Sequence, residues 1–227
     1  WKKAFFPCGN TARKMKLTGK GGEKKTPVEV FEEQRKALLD MGGLEEKDCT
    51  VGMGKANLYG IITALPFTAA VILAYVFGGK GVFNIVSQSI DVIIFAAALI
   101  VSIPVHEGLH GLFWAISRGS FKGIRFGIVL RALTPYCACA YPCNRAQYFT
   151  GLIAPFVILT AGFAVAACLT GYWALAAAAA ANALLAGGDL FIAFRLVFSK
   201  GKYFLDHPQR CGFIAFEKTK RQDDSAL

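Results

Sequence analysis

Ile100-Val101-Ser102-Ile103-Pro104-Val105-His106-Glu107-Gly108-Leu109-His110-Gly111-Leu112-Phe113-Trp114 is the stretch on which the reading of this chain turns. Three ionisable side chains stand close together in a run that is otherwise apolar. Such groups are costly in a membrane helix and are kept where they pair, hold a metal or line a wet cavity. The first question is therefore whether the flanking sequence is membrane-like.

It is. The 55% apolar content of the 227 residues comes in blocks rather than evenly. Residues 58–78, 83–117, 151–170 and 172–199 are mostly apolar, and each has about the length that crosses a bilayer. The first block lies behind a long basic segment, unlike a cleaved secretory signal, and is expected to stay in the mature protein. Four crossings put residues 1–57, 118–149 and 200–227 on one face. All of the Lys and Arg except Lys80 lie on that face or, like Arg195, close to it. By the positive-inside rule that face is cytoplasmic, with both termini inside, most simply in a plasma membrane. The net charge of +10 then reflects topology, and nucleic acid is not an expected partner.

Between the blocks the pattern changes. Thr26-Pro27-Val28-Glu29 sets a capping hydroxyl, a Pro at the first helical position and a Glu three residues after the cap. It predicts a helix ending near Gly42-Gly43, with Val28, Phe31, Leu38 and Leu39 near one face. The Lys- and Gly-rich residues 14–25 read as a flexible tail. In 119–149, Phe121, Ile124, Phe126, Ile128 and Leu130 partly alternate with small or polar residues, which predicts strands or a hairpin. The Ala run 174–183 predicts close helix packing. Seven scattered cysteines on a mostly cytosolic face predict no disulfide framework, and the Cys137, Cys139, Cys143 spacing is no standard zinc pattern.

His106-Glu107-Gly108-Leu109-His110 is an H-E-x-x-H pentad. Residues four apart share a helix face, so the two imidazoles can bind one metal ion. Glu107 beside them can take a proton from a water that the ion has acidified. Zinc at a catalytic site takes three protein ligands, so a third is needed. Asp189 is the acid in the fourth apolar block, eleven residues before Lys200, or about 16 Å at helical rise. His110 and His106 lie eight and twelve residues before Arg118, about 12 to 18 Å from the same face. The levels match. Asn182 is seven residues before Asp189 on nearly the same face, where its amide could hold a substrate backbone, orient the carboxylate or bond a neighbouring helix.

These residues resemble the membrane-bound zincin peptidases, a domain-of-unknown-function family. The features that carry the resemblance are His106–Gly111, Phe126-Gly127, Leu152-Ile153-Ala154-Pro155, Gly188-Asp189 and Asp206-His207-Pro208, between roughly residues 90 and 215. More distantly the chain is similar to site-2 proteases, which cut within the membrane and take their third zinc ligand from an Asp on a later helix. That resemblance implies the same role for Asp189. Those proteases usually carry an Asn followed by prolines and an Asp-Gly pair, whereas Asn182 to Leu190 here lacks proline.

The expected protein is α-helical and membrane-embedded, with about four transmembrane helices and a small strand-like hairpin between helices 2 and 3. Residues 1–57 form a basic cytosolic segment with one amphipathic helix, and 58–227 form a metallopeptidase domain ending in a cytosolic tail, 200–227. His106, His110 and Asp189 would bind Zn2+, Glu107 would act as the base, and Asn182 would touch a peptide or membrane-protein substrate. The rival expectation is a non-catalytic membrane protein that stores, senses or carries a metal.

Overall fold

The computed structural model describes residues 25–78, 88–129 and 134–219. The expectations for residues 14–24 and for the outer turn near Gly79–Gly81 lie outside them. Helix α1, Pro27–Asp40, starts as its sequence dictates: Thr26 Oγ1 accepts from the Glu29 amide at 3.2 Å, and the Glu29 carboxylate accepts from the Thr26 amide at 2.7 Å. Gly42 and Gly43, both at positive φ, then turn the chain into strand β1, Leu44–Val51.

Next come the long helices α2, Met53–Gly78, and α3, Gln88–Arg118. A hairpin of β2, Ile124–Val129, and β3, Thr134–Cys139, follows. The third span joins α4, Arg145–Pro155, through a π-helical turn at Phe156–Thr160 to α5, Ala161–Thr170. It begins six residues earlier than expected, because Asn144 and Gln147 form a reciprocal cap ahead of the apolar run. The predicted fourth helix is in fact two, α6, Trp173–Leu185, and α7, Gly187–Phe198, bent by 48°. Among the described residues three helices are long and apolar enough to cross a membrane, or four if the bent pair is one span.

The break has a local cause. Gly187-Gly188 is a weak helix former, and α2 approaches there without side chains between the backbones. A Cβ on Gly60 would come 2.9 Å from the Gly188 nitrogen, and one on Gly187 would overlap the Gly60 carbonyl. Small residues fill the rest of the bundle interior, with Ala64, Ala174, Ala178, Ala179 and Ala183 fully buried. Large apolar residues such as Ile93, Ile100 and Leu169 face outwards.

Below the bundle the chain departs from the expectation of a basic segment and a tail. Strands β4, Tyr203–Asp206, and β5, Cys211–Lys218, arise within 200–227, and β5 pairs antiparallel with both β4 and β1 in the order β1-β5-β4. Phe31 and Leu38 of α1 pack on Leu205, Ile214 and Phe216 of this sheet. Its other face joins the bundle, with Phe204 and Phe213 clustered against Trp114, Tyr148, Leu152 and Leu196. The alternation in β5 was hidden because Phe213, Ile214, Ala215 and Phe216 are buried on both faces, which removes the polar half of the pattern.

Candidate metal centre

Each donor is delivered by a different constraint. His106 and His110 lie one turn apart on α3, so helix geometry alone puts their rings 4.8 Å apart. Asp189 stands in the first turn of α7, directly after the break, so the Gly187-Gly188 contact with Gly60 sets where its carboxylate arrives. His106 Nε2 is 3.0 Å from Asp189 Oδ2 and 3.1 Å from His110 Nε2, and His110 Nε2 is 3.3 Å from the same carboxylate oxygen.

That triangle fits zinc. Bonds of about 2.0–2.1 Å to a tetrahedral ion place neighbouring ligand atoms about 3.3 Å apart. Two nitrogens and one carboxylate oxygen are also a donor set that zinc accepts. His110 Nδ1 lies 2.8 Å from the Gly151 carbonyl, which can only accept, so Nδ1 carries the proton. When His110 is neutral its lone pair is then on Nε2, the nitrogen nearest His106 and Asp189. Among the described residues, His106, His110 and Asp189 are the one group of three or more His, Cys, Asp or Glu that could hold a metal.

The surroundings hold this arrangement in place. The His110 ring stacks on Trp114, Trp114 on Tyr148, and Tyr148 on Phe204. Trp114 Nε1 donates to the Tyr148 carbonyl, and Gly151 leaves the room that the indole occupies. The hairpin covers Gly111, where a Cβ would come 2.6 Å from the Phe126 ring and 3.3 Å from Cys137 Sγ. Nothing lies within 4 Å of such an atom on Gly108. The backbone N–H of Cys137 faces the Glu107 carboxylate from the hairpin's edge.

Asn182 is buried one helix away. Its amide nitrogen donates to Ser102 Oγ on α3 at 3.2 Å and to the Ala178 carbonyl at 2.9 Å, while its Oδ1 is buried without a partner. An interhelical bond is therefore part of its role. Arg195, six residues beyond Asp189, donates to the Cys49 carbonyl of β1 at 2.8 Å. Cys139 and Cys143 are buried with their sulfurs 3.5 Å apart; the bond from Cys143 lowers the Cys139 thiol from its ordinary range, helped by Arg118. His207 accepts from the Gln209 and Arg210 amides, as a turn residue does.

Sequence reasoning missed several supports. Gly151, Gly60 and Gly187 act through a carbonyl or through lack of a side chain, and only the Gly187-Gly188 doublet left a signal. Asp91 was also passed over: it is fully buried near the start of α3 and accepts from Trp173 Nε1 at 3.2 Å, joining α3 to α6.

Residues 99–204 match the model of a family described as "Putative zincin peptidase", a description that implies zinc. The match takes in His106, Glu107, His110 and Asp189 and leaves α1, β1, α2 and β5 outside. No curated protein and no solved structure matches the chain.

Proposed function

We propose that this chain is a membrane-embedded zinc peptidase in which His106, His110 and Asp189 hold the ion and Glu107 moves the proton. The observation that carries the reading is the triangle of donor atoms with edges of 3.0, 3.1 and 3.3 Å, formed by two helices 83 residues apart in sequence and joined by an acid one residue from the first ligand. A structural polar knot would give Glu107 no role beside the first of the two imidazoles.

Zinc supplies Lewis acidity there, polarising a scissile carbonyl and lowering the pKa of a water. The chain does the rest. Glu107, steadied by the Cys137 amide, accepts the proton from the attacking water and returns it to the departing amine. The Gly151 carbonyl keeps His110 in the tautomer that leaves Nε2 free. Asn182 Oδ1, already buried and unpartnered, is offered to a substrate amide. In β3, the Cys139 and Cys137 amides are turned towards carboxylates and Pro135 has no N–H, so β3 has no amide left for an added strand. The exposed Phe126 and Ile128 of β2 offer an extended substrate an apolar surface beside this edge.

Membrane insertion is supported by the length and apolarity of α2, α3 and α4–α5 and by the outward-facing Ile, Leu, Val and Phe side chains. The side carrying the sheet is the cytoplasmic one, by the distribution of Lys and Arg. Proteoliposomes given a pool of apolar quenched-fluorescent peptides test the activity. Wild type is expected to cleave, and Glu107→Gln to retain zinc while losing at least about 100-fold in rate. Equal zinc and no cleavage by either protein would favour a metal carrier or sensor.

A further inference from the structure

We propose that Asp206, on strand β4 and outside the matched region, is the positioning residue that fixes both the zinc ligand His110 and the base Glu107. The inference rests on the peptidase reading above. Asp206 has each carboxylate oxygen on a different element. Oδ1 accepts from the Tyr148 hydroxyl on α4 at 3.0 Å, and Oδ2 accepts from the Cys139 amide on β3 at 3.3 Å.

Both partners lead towards the metal centre. On α4, Tyr148 lies three residues before Gly151, whose carbonyl holds His110 Nδ1, and its ring and carbonyl both engage Trp114, which stacks on His110. On β3, Cys139 lies two residues from Cys137, whose amide reaches Glu107 from the same strand edge. Among the described residues the hairpin has two strands, so no further strand fixes that edge of β3. Asp206 takes that place. It does so from a sheet that draws β1 and β5 from the two ends of the described chain, which gives the cytosolic-side sheet a role in chemistry it does not touch.

Outer partners of this kind typically alter metal affinity or activity 10- to 100-fold, about 1.4 to 2.7 kcal/mol, when removed. The test compares purified wild type, Asp206→Asn, Tyr148→Phe and the double variant by zinc competition with a chelator. It also records the visible absorption of the cobalt-substituted proteins, which reports ligand geometry and not global stability. Asp48→Asn, on the exposed face of the same sheet, is the control. Asp206→Asn is expected to weaken zinc by about 10- to 100-fold and to shift the cobalt bands. Tyr148→Phe, which keeps the ring stack and loses only the hydroxyl, should move both readouts in the same direction by less. The double variant should be no worse than Asp206→Asn by more than about twofold, since the two residues act through one bond. If Asp206→Asn does not fold, Tyr148→Phe decides alone. Wild-type zinc affinity and an unchanged cobalt spectrum in the folded variants would overturn the positioning role while leaving the peptidase reading intact. A wild type that binds no zinc would overturn both.

Discussion

The helical bundle and the β1-β5-β4 sheet bury opposite kinds of side chain. In the bundle, alanines and glycines face inward and large apolar residues face out; in the sheet, Phe204, Phe213 and Phe216 are fully buried and charged residues such as Glu45, Lys47 and Lys218 lie outside. Each is what the proposed setting, bundle in lipid and sheet in water, would require. Where lipid offers no hydrophobic drive, helices gain by backbone proximity; where water surrounds the fold, they gain by burying area. The candidate metal site sits near the seam: its donors and Trp114, Tyr148 and Gly151 belong to the first region, and Phe204 and Asp206 of the second meet Tyr148.

If close backbone approach is what organises the bundle, the largest effect should come from filling its tightest point. Gly60→Val or Gly187→Val would wedge α2 from the start of α7 and carry Asp189 away from the imidazoles. Zinc affinity should fall by more than about 100-fold, as expected for loss of a ligand and its support. Gly162→Val on α5, where nothing lies within 4 Å, should leave it unchanged. Equal zinc titrations for all three would remove the basis of the comparison.

Burial provides the next contrast. Phe213→Ala, in the sheet, should cost about 3 to 5 kcal/mol in denaturant unfolding in detergent. Phe198→Ala, 71% exposed at the end of α7, should cost less than about 0.5 kcal/mol. Similar costs would mean that the two regions are not built on different rules.

A pH series sharpens the seam itself. Burial raises Asp206 to about 7, above the ordinary carboxylate range, against the opposing bonds from Tyr148 and Cys139. Between about 4 and 7 the unfolded chain has lost this proton while the folded chain keeps it. Stability contributed by Asp206 is therefore full below about 4 and is lost as pH rises through about 7. Thermal midpoints should decline across that window in wild type more steeply than in Asp206→Asn. The smallest effect belongs to the sheet's surface. Arg35, bridging Glu32 and Glu46, should be worth under about 1 kcal/mol in Arg35→Ala, and less in high salt.

What could be read beforehand follows the same division. The H-E-x-x-H pentad, the apolar blocks and the capping box at Thr26 are local patterns with strong signals, and α1 begins where its cap says. That Asp189 meets His106 and His110 agrees with the count of helical rise. The 48° break did not, because it depends on Gly60 meeting Gly187-Gly188 across 127 residues, a contact made by missing atoms. Nor did the three-stranded sheet: β1 is mostly charged and exposed, β5 is buried on both faces, and neither shows the alternation that marks a half-buried strand. Gly151 acts through its carbonyl and Cys137 through its amide, and a carbonyl on every residue type and an amide on every one but proline leave no mark in the sequence.

The most direct test of the central claim is the zinc content of purified wild type measured beside His110→Ala and Asp189→Ala, each checked for folding by circular dichroism. One zinc per chain in wild type and almost none in either variant is the expected result. A folded Asp189→Ala that holds zinc as firmly as wild type would contradict it.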